Sequence, residues 1–211
     1  MAIIHAATLN PSKMELLTAW LPGQPWFGEG EPTDLERVGS FRFDDPEGEV
    51  GVETLLVARK DAVFQVPLTY RSSPLRSADA SLIGTMEHSV LGRRWVYDAT
   101  GDPVYASSPA RTVLAGQPQA DQMLAADGQL KLMPETVHLR STGASGADAP
   151  VVSSAVPETV DGVTIIHAAH LDLAVNRVLD LSGRTSGQHI LTATWTGQAL
   201  PAQLAALVGV D

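Results

Sequence analysis

The chain has 211 residues, 44% of them hydrophobic, enough to bury a full core and to remove roughly 70% of the unfolded surface from water. Fourteen Lys and Arg face 24 Asp and Glu, a formal charge of −10, which repels phosphate backbones and anionic lipid and argues against nucleic acid and membrane surfaces as partners. There is no cysteine, which excludes disulfides, thiol nucleophiles and thiolate-held metal or iron–sulfur sites.

The opening "MAIIHAATLNPSK" has no basic stretch and too short an apolar run for a secretion signal. No window reaches the roughly 18 apolar residues of a membrane span. The expectation is a soluble, cytoplasmic protein. Ala2 to Thr8 reads as a short strand. A helix follows, with Asn10 as its cap, Pro11 at the first helical position and Met14, Leu17 and Leu21 on one face. "LPGQPWFGEGEP" ends it, Trp20 and Trp26 flanking the exit and packing it on the next layer.

From Leu35 the apolar period becomes two. "LERVGSFRF", "EVGVETLLVAR" and "AVFQVPLTYR" are successive strands, and "SLIGTMEHS" with "GRRWVYDA" forms a hairpin around Val90 and Leu91. "DPVYASSPARTVLAG" and "PQADQMLAA" read as helices, the first interrupted by Pro109. "STGASGADAP", Ser141 to Pro150, reads as a mobile loop. Strands follow at "GVTIIHAAHLDLAV" and "GQHILTATW", and "PAQLAALV" reads as a last helix.

The 86–98 hairpin concentrates the polar chemistry. With Ser89 to Gly92 as its loop, His88 lies opposite Arg93, Glu87 opposite Arg94 and Met86 opposite Trp95. Alternation then sends His88, Arg93, Trp95 and Tyr97 to one face and Glu87, Arg94 and Asp98 to the other. One reading is structural, a Glu87–Arg94 cross-strand ion pair of up to about 1 kcal/mol with Trp95 in the core. The other makes His88, Arg93, Trp95 and Tyr97 a small-ligand platform, because an indole stacks on a sugar and Arg binds oxygens in pairs.

Other residues argue for structure. His167 and His170 point to opposite faces of a strand, with no carboxylate on the side of His167, so no metal site is expected. Asp44, Asp45, Glu47, Glu49 and Glu53 surround a turn but lack calcium-loop order. "HLDLAVN", His170 to Asn176, approximates a kinase catalytic loop, yet its Asn follows Asp172 by four residues and the segment alternates like a strand. The upstream lysines, Lys13, Lys60 and Lys131, follow no glycine-rich phosphate loop. No catalytic residues and no cofactor are expected.

"AWLPGQPWFGEG", "FQVPLTYR", "IGTMEHS" and "WVYDATGDPVYASSPARTVL" occur in an order that resembles the N-terminal cap of maltokinases and related actinobacterial sugar kinases. That match covers roughly residues 1–126, and the chain resembles still more the stand-alone proteins described as maltokinase N-terminal cap-like, which also share the C-terminal "LTATWTGQALPAQLA" pattern. The resemblance implies an α+β, mostly β fold, a curved antiparallel sheet with packed helices in a cystatin-like arrangement. Residues 127–211 are expected to add a β-rich extension within the same domain. In the kinases the cap precedes the nucleotide-binding lobes, so the resemblance implies no catalytic residues. It implies instead a binding or regulatory protein of glycogen, trehalose or maltose-phosphate metabolism, paired with a protein partner or with itself. The alternative is a sugar or sugar-phosphate binder, or an enzyme, using the hairpin.

Overall fold

The structure, a computed structural model, describes residues 1–76, 78–126, 128–143, 152–168 and 171–210. In chain order its regular elements are β1 (Ala2–His5), β2 (Leu9–Asn10), α1 (Lys13–Trp20), β3 (Glu36–Phe43), β4 (Gly51–Arg59), β5 (Ala62–Arg71), β6 (Leu82–His88), β7 (Gly92–Asp98) and α2 (Pro103–Ala115). The second part contains β8 (Gln122–Ala126), β9 (Gln129–Leu132), β10 (Val137–Ser141), β11 (Val156–Val160), β12 (Val163–Ala168), β13 (Leu171–Asn176), β14 (Ile190–Trp195) and β15 (Gln198–Val210). The described residues are thus mostly β, with two six-stranded antiparallel sheets and two α-helices.

The strands form a six-stranded sheet in the order β2-β6-β7-β5-β4-β3 and a second in the order β10-β14-β15-β13-β12-β11. A small sheet, β1-β8-β9, ties the N-terminus to the middle of the chain. One face of the first sheet packs against α1 and the chain after it, through Leu17, Leu21, Trp26, Leu55, Phe64 and Val66. Its other face shares a core with α2 and the second sheet, including Phe41, Leu56, Tyr105, Val113, Leu173 and Leu204. β3 approaches β10 so closely that a Cβ on Gly39 would lie 2.6 Å from Val137.

The two sheets also join edge to edge. β7 pairs with β5 from Leu68 to Arg71 and leaves at Asp98, and residues 177–179 then take over the same flank of β5. Gln65 donates its amide to the Arg177 carbonyl at 2.9 Å, and Leu179 donates to Val63 at 2.9 Å. The backbone groups of Val63 and Gln65 face this flank, so two-residue alternation points position 67 there too. Pro67 therefore lacks an N–H at the gap between the two neighbours, where the ladder has no bond to lose.

The sequence expectations hold for β3 to β7, and residues 171–176 form a strand whose burial alternates. Three differ. α1 is capped by Ser12, not Asn10, in a capping box in which Ser12 and Glu15 each accept the other's backbone N–H. "PQADQMLAA" supplies β8 instead of a helix, paired in parallel with β1. "PAQLAALV" lies within β15, between β13 and β14. Ala, Gln, Leu and Met favour helices by tenths of a kcal/mol per residue, less than two flanking ladders and a buried face contribute. Pro201 falls where the β14–β15 register shifts. Pro109 remains inside α2, whose buried Tyr105, Ala106, Ala110 and Val113 offset a break that costs about 3 kcal/mol in an exposed helix. Residues 144–150 of the expected 141–150 loop, and His170, lie outside the described residues.

Candidate functional site

α1 covers only part of its face of the first sheet. On the remainder, Arg42 of β3 is directly opposite Glu53 of β4, and Gly51 opposite Tyr70 of β5. Glu53 is 3% exposed, and a buried carboxylate must be paired to stay ionised. Lys13 of α1 donates to its Oε2 at 2.5 Å, the Tyr70 hydroxyl donates at 2.8 Å, and Arg42 Nη2 stands at 3.2 Å. Burial works to raise the Glu53 pKa, but Arg42, Lys13 and the two hydrogen bonds outweigh it and hold the carboxyl down to about 2. Burial also pushes the Lys13 ammonium down, against the pull of Glu53, and drives the Tyr70 hydroxyl well up.

Above this floor lies a cavity of about 500 Å³, within the range of small-molecule sites. β1 and the residues after it form one wall, with Ile4 and His5; the turn between β3 and β4 forms another; Met86, His88, Leu91 and Arg94 of the hairpin close the end. A Cβ on Gly51 would rest in ordinary contact with the Tyr70 ring, 3.4 Å away, so this position leaves the floor unfilled. His5 and His88 meet edge to face, centroids 6.0 Å apart. Burial, then the neighbouring His5 and Arg94, lower the His88 pKa. His88 Nδ1 accepts the amides of Val90 and Leu91, both at 3.1 Å, which leaves its proton on Nε2.

The basic groups at this end are incompletely satisfied. Arg94 donates through Nη2 to the Leu91 carbonyl, but its Nε is buried without a partner, as is that of Arg42. Among the described residues no carboxylate lies within ion-pairing distance of Arg94.

Residues 20–102 match the maltokinase N-terminal cap domain. No curated protein matches the chain. The stretch similar to the maltokinase cap contains Arg42, Gly51, Glu53, Tyr70, His88 and Arg94, whereas His5, Lys13 and Arg177 lie outside it. Two aspartates at its end have plain structural roles. Asp98 accepts from Arg177 Nη2 at 2.9 and 2.6 Å and from Thr100, and Arg177 Nε donates to Thr164 at 2.7 Å. Asp102 takes two parallel bonds of 2.7 Å from Arg71 and caps α2 through the Val104 amide.

Within the cap-like segment the hairpin register differs from the expected one. His88 is opposite Gly92, Glu87 opposite Arg93, Met86 opposite Arg94 and Thr85 opposite Trp95. The one-residue change exchanges faces. His88 and Arg94 face the cavity, while Arg93, Trp95 and Tyr97 lie on the opposite face. The ion pair is accordingly Glu87–Arg93, 2.7 Å and exposed, in place of Glu87–Arg94. Trp95 is half-buried, and the buried Tyr97 accepts the Leu75 amide at 2.8 Å.

Outside the segment, His167 has the carboxylate neighbours its sequence context did not suggest, Asp172 Oδ1 at 2.9 Å and Glu158 Oε2 at 3.6 Å. Among the described residues no group of three or more His, Cys, Asp or Glu is placed to hold a metal ion, and no helix is long and apolar enough to cross a membrane. Sequence reasoning missed Lys13, Arg42, Glu53, Tyr70 and His5. One signal was available: Glu53 interrupts the apolar run of "VETLLV", and a charge inside a buried strand requires a partner.

Proposed function

We propose that the chain is a non-catalytic binding protein in which a cap-like sheet, cystatin-like in arrangement, takes a small ligand in the cavity beneath β1. The observation that carries this reading is the concave space of about 500 Å³ over a polar floor of Lys13, Arg42 and Tyr70, closed at one end by Arg94, which pairs with no carboxylate among the described residues. A guanidinium without a counter-ion favours a hydrogen-bonding or anionic ligand beside it. A role within glycogen, trehalose or maltose-phosphate metabolism is drawn from the resemblance to maltokinase caps alone.

The test is a thermal-shift panel of neutral sugars, sugar phosphates and nucleotides on the protein and its Gly51→Leu variant. A ligand that binds only the native state raises Tm, and Gly51→Leu, which fills the floor while leaving every charge in place, abolishes the shift. A shift of equal size in the variant would place the ligand elsewhere and reject the reading.

A second reading, pairing with a partner through a sheet edge, is favoured by β11. This edge strand exposes Val156 at 62% and Val160 at 56%, and exposed apolar edges promote strand addition. Light scattering of the protein against a Val156→Lys/Val160→Lys variant tests it for self-pairing; the same monomer mass for both removes that form.

A further inference from the structure

The rim and the inner end of the cavity differ in charge. At the rim are Asp44, Asp45 and Glu49. Asp44 holds the N-terminal amine, and Asp45 accepts the amides of Glu47, Glu49 and Val50 at 2.9 to 3.1 Å. The inner end is lined by Lys13, Arg42 and Arg94; the carboxylate beneath it, Glu53, is engaged by Lys13, Arg42 and Tyr70 and not by Arg94. The inner end thus carries an excess of two positive charges in a partly desolvated place, before any contribution from His5 or His88. Such an excess disfavours the empty state unless an anion offsets it.

We infer that the inner end is a subsite for the phosphate of a small phosphomonoester, bound by Arg94 and Arg42 with the His88 Nε2–H beside them, and that the acidic rim accepts hydroxyls from the rest of the molecule. This rests on the proposed cavity and deepens it. Guanidinium N–H groups suit phosphate because charge-assisted bonds to its oxygens are strong and directional. The rim carboxylates repel a second anionic group but accept from hydroxyls, which selects a molecule that is anionic at one end and polyhydroxylated at the other. Arg94 differs in this respect from Arg71, Arg93 and Arg177, each of which already holds a carboxylate.

The experiment is calorimetric titration and amide NMR of the full chain with inorganic phosphate, glycerol 3-phosphate, glucose 6-phosphate and glucose, using the protein, Arg94→Gln and Gly51→Leu. The subsite requires the phosphate-bearing probes to bind and to move the Leu91 and Gly51 amides. Arg94→Gln weakens them about 10-fold or more, the loss of one charge-assisted contact, with Tm little changed because the hydrogen bond Arg94 makes is to the exposed Leu91 carbonyl. Phosphate affinity falls with added salt. Glucose binding as tightly as glucose 6-phosphate, blocked by Gly51→Leu but indifferent to Arg94→Gln, would overturn the phosphate subsite and leave a neutral-ligand cavity. Absence of any response at Leu91 or Gly51 to all four probes would overturn both.

Discussion

The two six-stranded sheets solve the problem of polar groups differently. In the first, β4 and β5 are buried over nearly their whole length, because α1 covers part of one face and the second sheet and α2 cover the other. In the second sheet, β13 and β14 alternate buried and half-buried residues, the mark of a sheet with one wet face. Polar side chains of the first sheet therefore find partners inside the protein or, like the Thr54 and Thr69 hydroxyls, go without. Gln65 donates to the carbonyls of Asn176 and Leu204, both at 2.9 Å, Asp98 holds Arg177, and Glu53 holds Lys13, Arg42 and Tyr70. In the second sheet the outward groups of β13 reach water, and Asp172 does no more than meet His167 at the surface. A doubly covered sheet makes its charges interdependent, and the cavity stands where that cover is incomplete.

The sharpest way to break this contrast is at the joint between the sheets. Arg177→Met leaves Asp98 buried without its cation and should cost about 3–5 kcal/mol, as removal of one member of a buried ion pair does; the urea midpoint measures it. Glu53→Gln comes next, at about 2–3 kcal/mol, since charge-assisted bonds are lost and two cations keep no counter-charge. Its effect depends on pH with a definite sign. The folded pKa, about 2, lies below the ordinary 4.5, so the carboxylate's contribution is complete above pH 4.5 and is lost as pH falls through 2. The difference in urea midpoint between protein and variant should thus shrink between pH 4.5 and 2, and a constant gap would show that Glu53 acts through shape alone.

Smaller effects sharpen the comparison at the surface. Ser12→Ala removes one half of the capping box and should cost about 1 kcal/mol, seen as a lower Tm, with faster amide exchange in the first turn of α1. Glu87→Gln breaks the exposed pair with Arg93 and should change stability by less than about 1 kcal/mol, less still at high salt. A loss comparable to that of Glu53→Gln would mean that the hairpin is as constrained as the floor.

Legibility in the sequence followed the same division. The period-two strands from Leu35 to Arg71 and from Leu171 to Asn176 were readable because alternation and turn residues are local. The nature of residues 118–126 and 201–208 was not, because Ala, Leu and Gln runs become strands only through partners distant in the chain. The 86–98 hairpin was recognisable, yet its register turns on whether Gly92 belongs to the loop or pairs with His88, and that single step decides which arginine faces the cavity. The cavity itself joins β1, α1 and all six strands of the first sheet, so spacing along the chain carried no trace of it beyond the charge at Glu53.

Pro67 and the handover on β5 bear on where this chain can be divided. The segment similar to the maltokinase cap ends at Asp102, but the flank of β5 around Val63 and Gln65 is completed by residues 177–179. A shortened protein ending near Ala126 would leave that flank open, with Val63 and Phe64 at an unpaired edge, and would be expected to precipitate or associate with other copies of itself. Independence of the cap-like part is thus a matter of edge protection as much as of core size, and here the protection comes from the opposite end of the polypeptide.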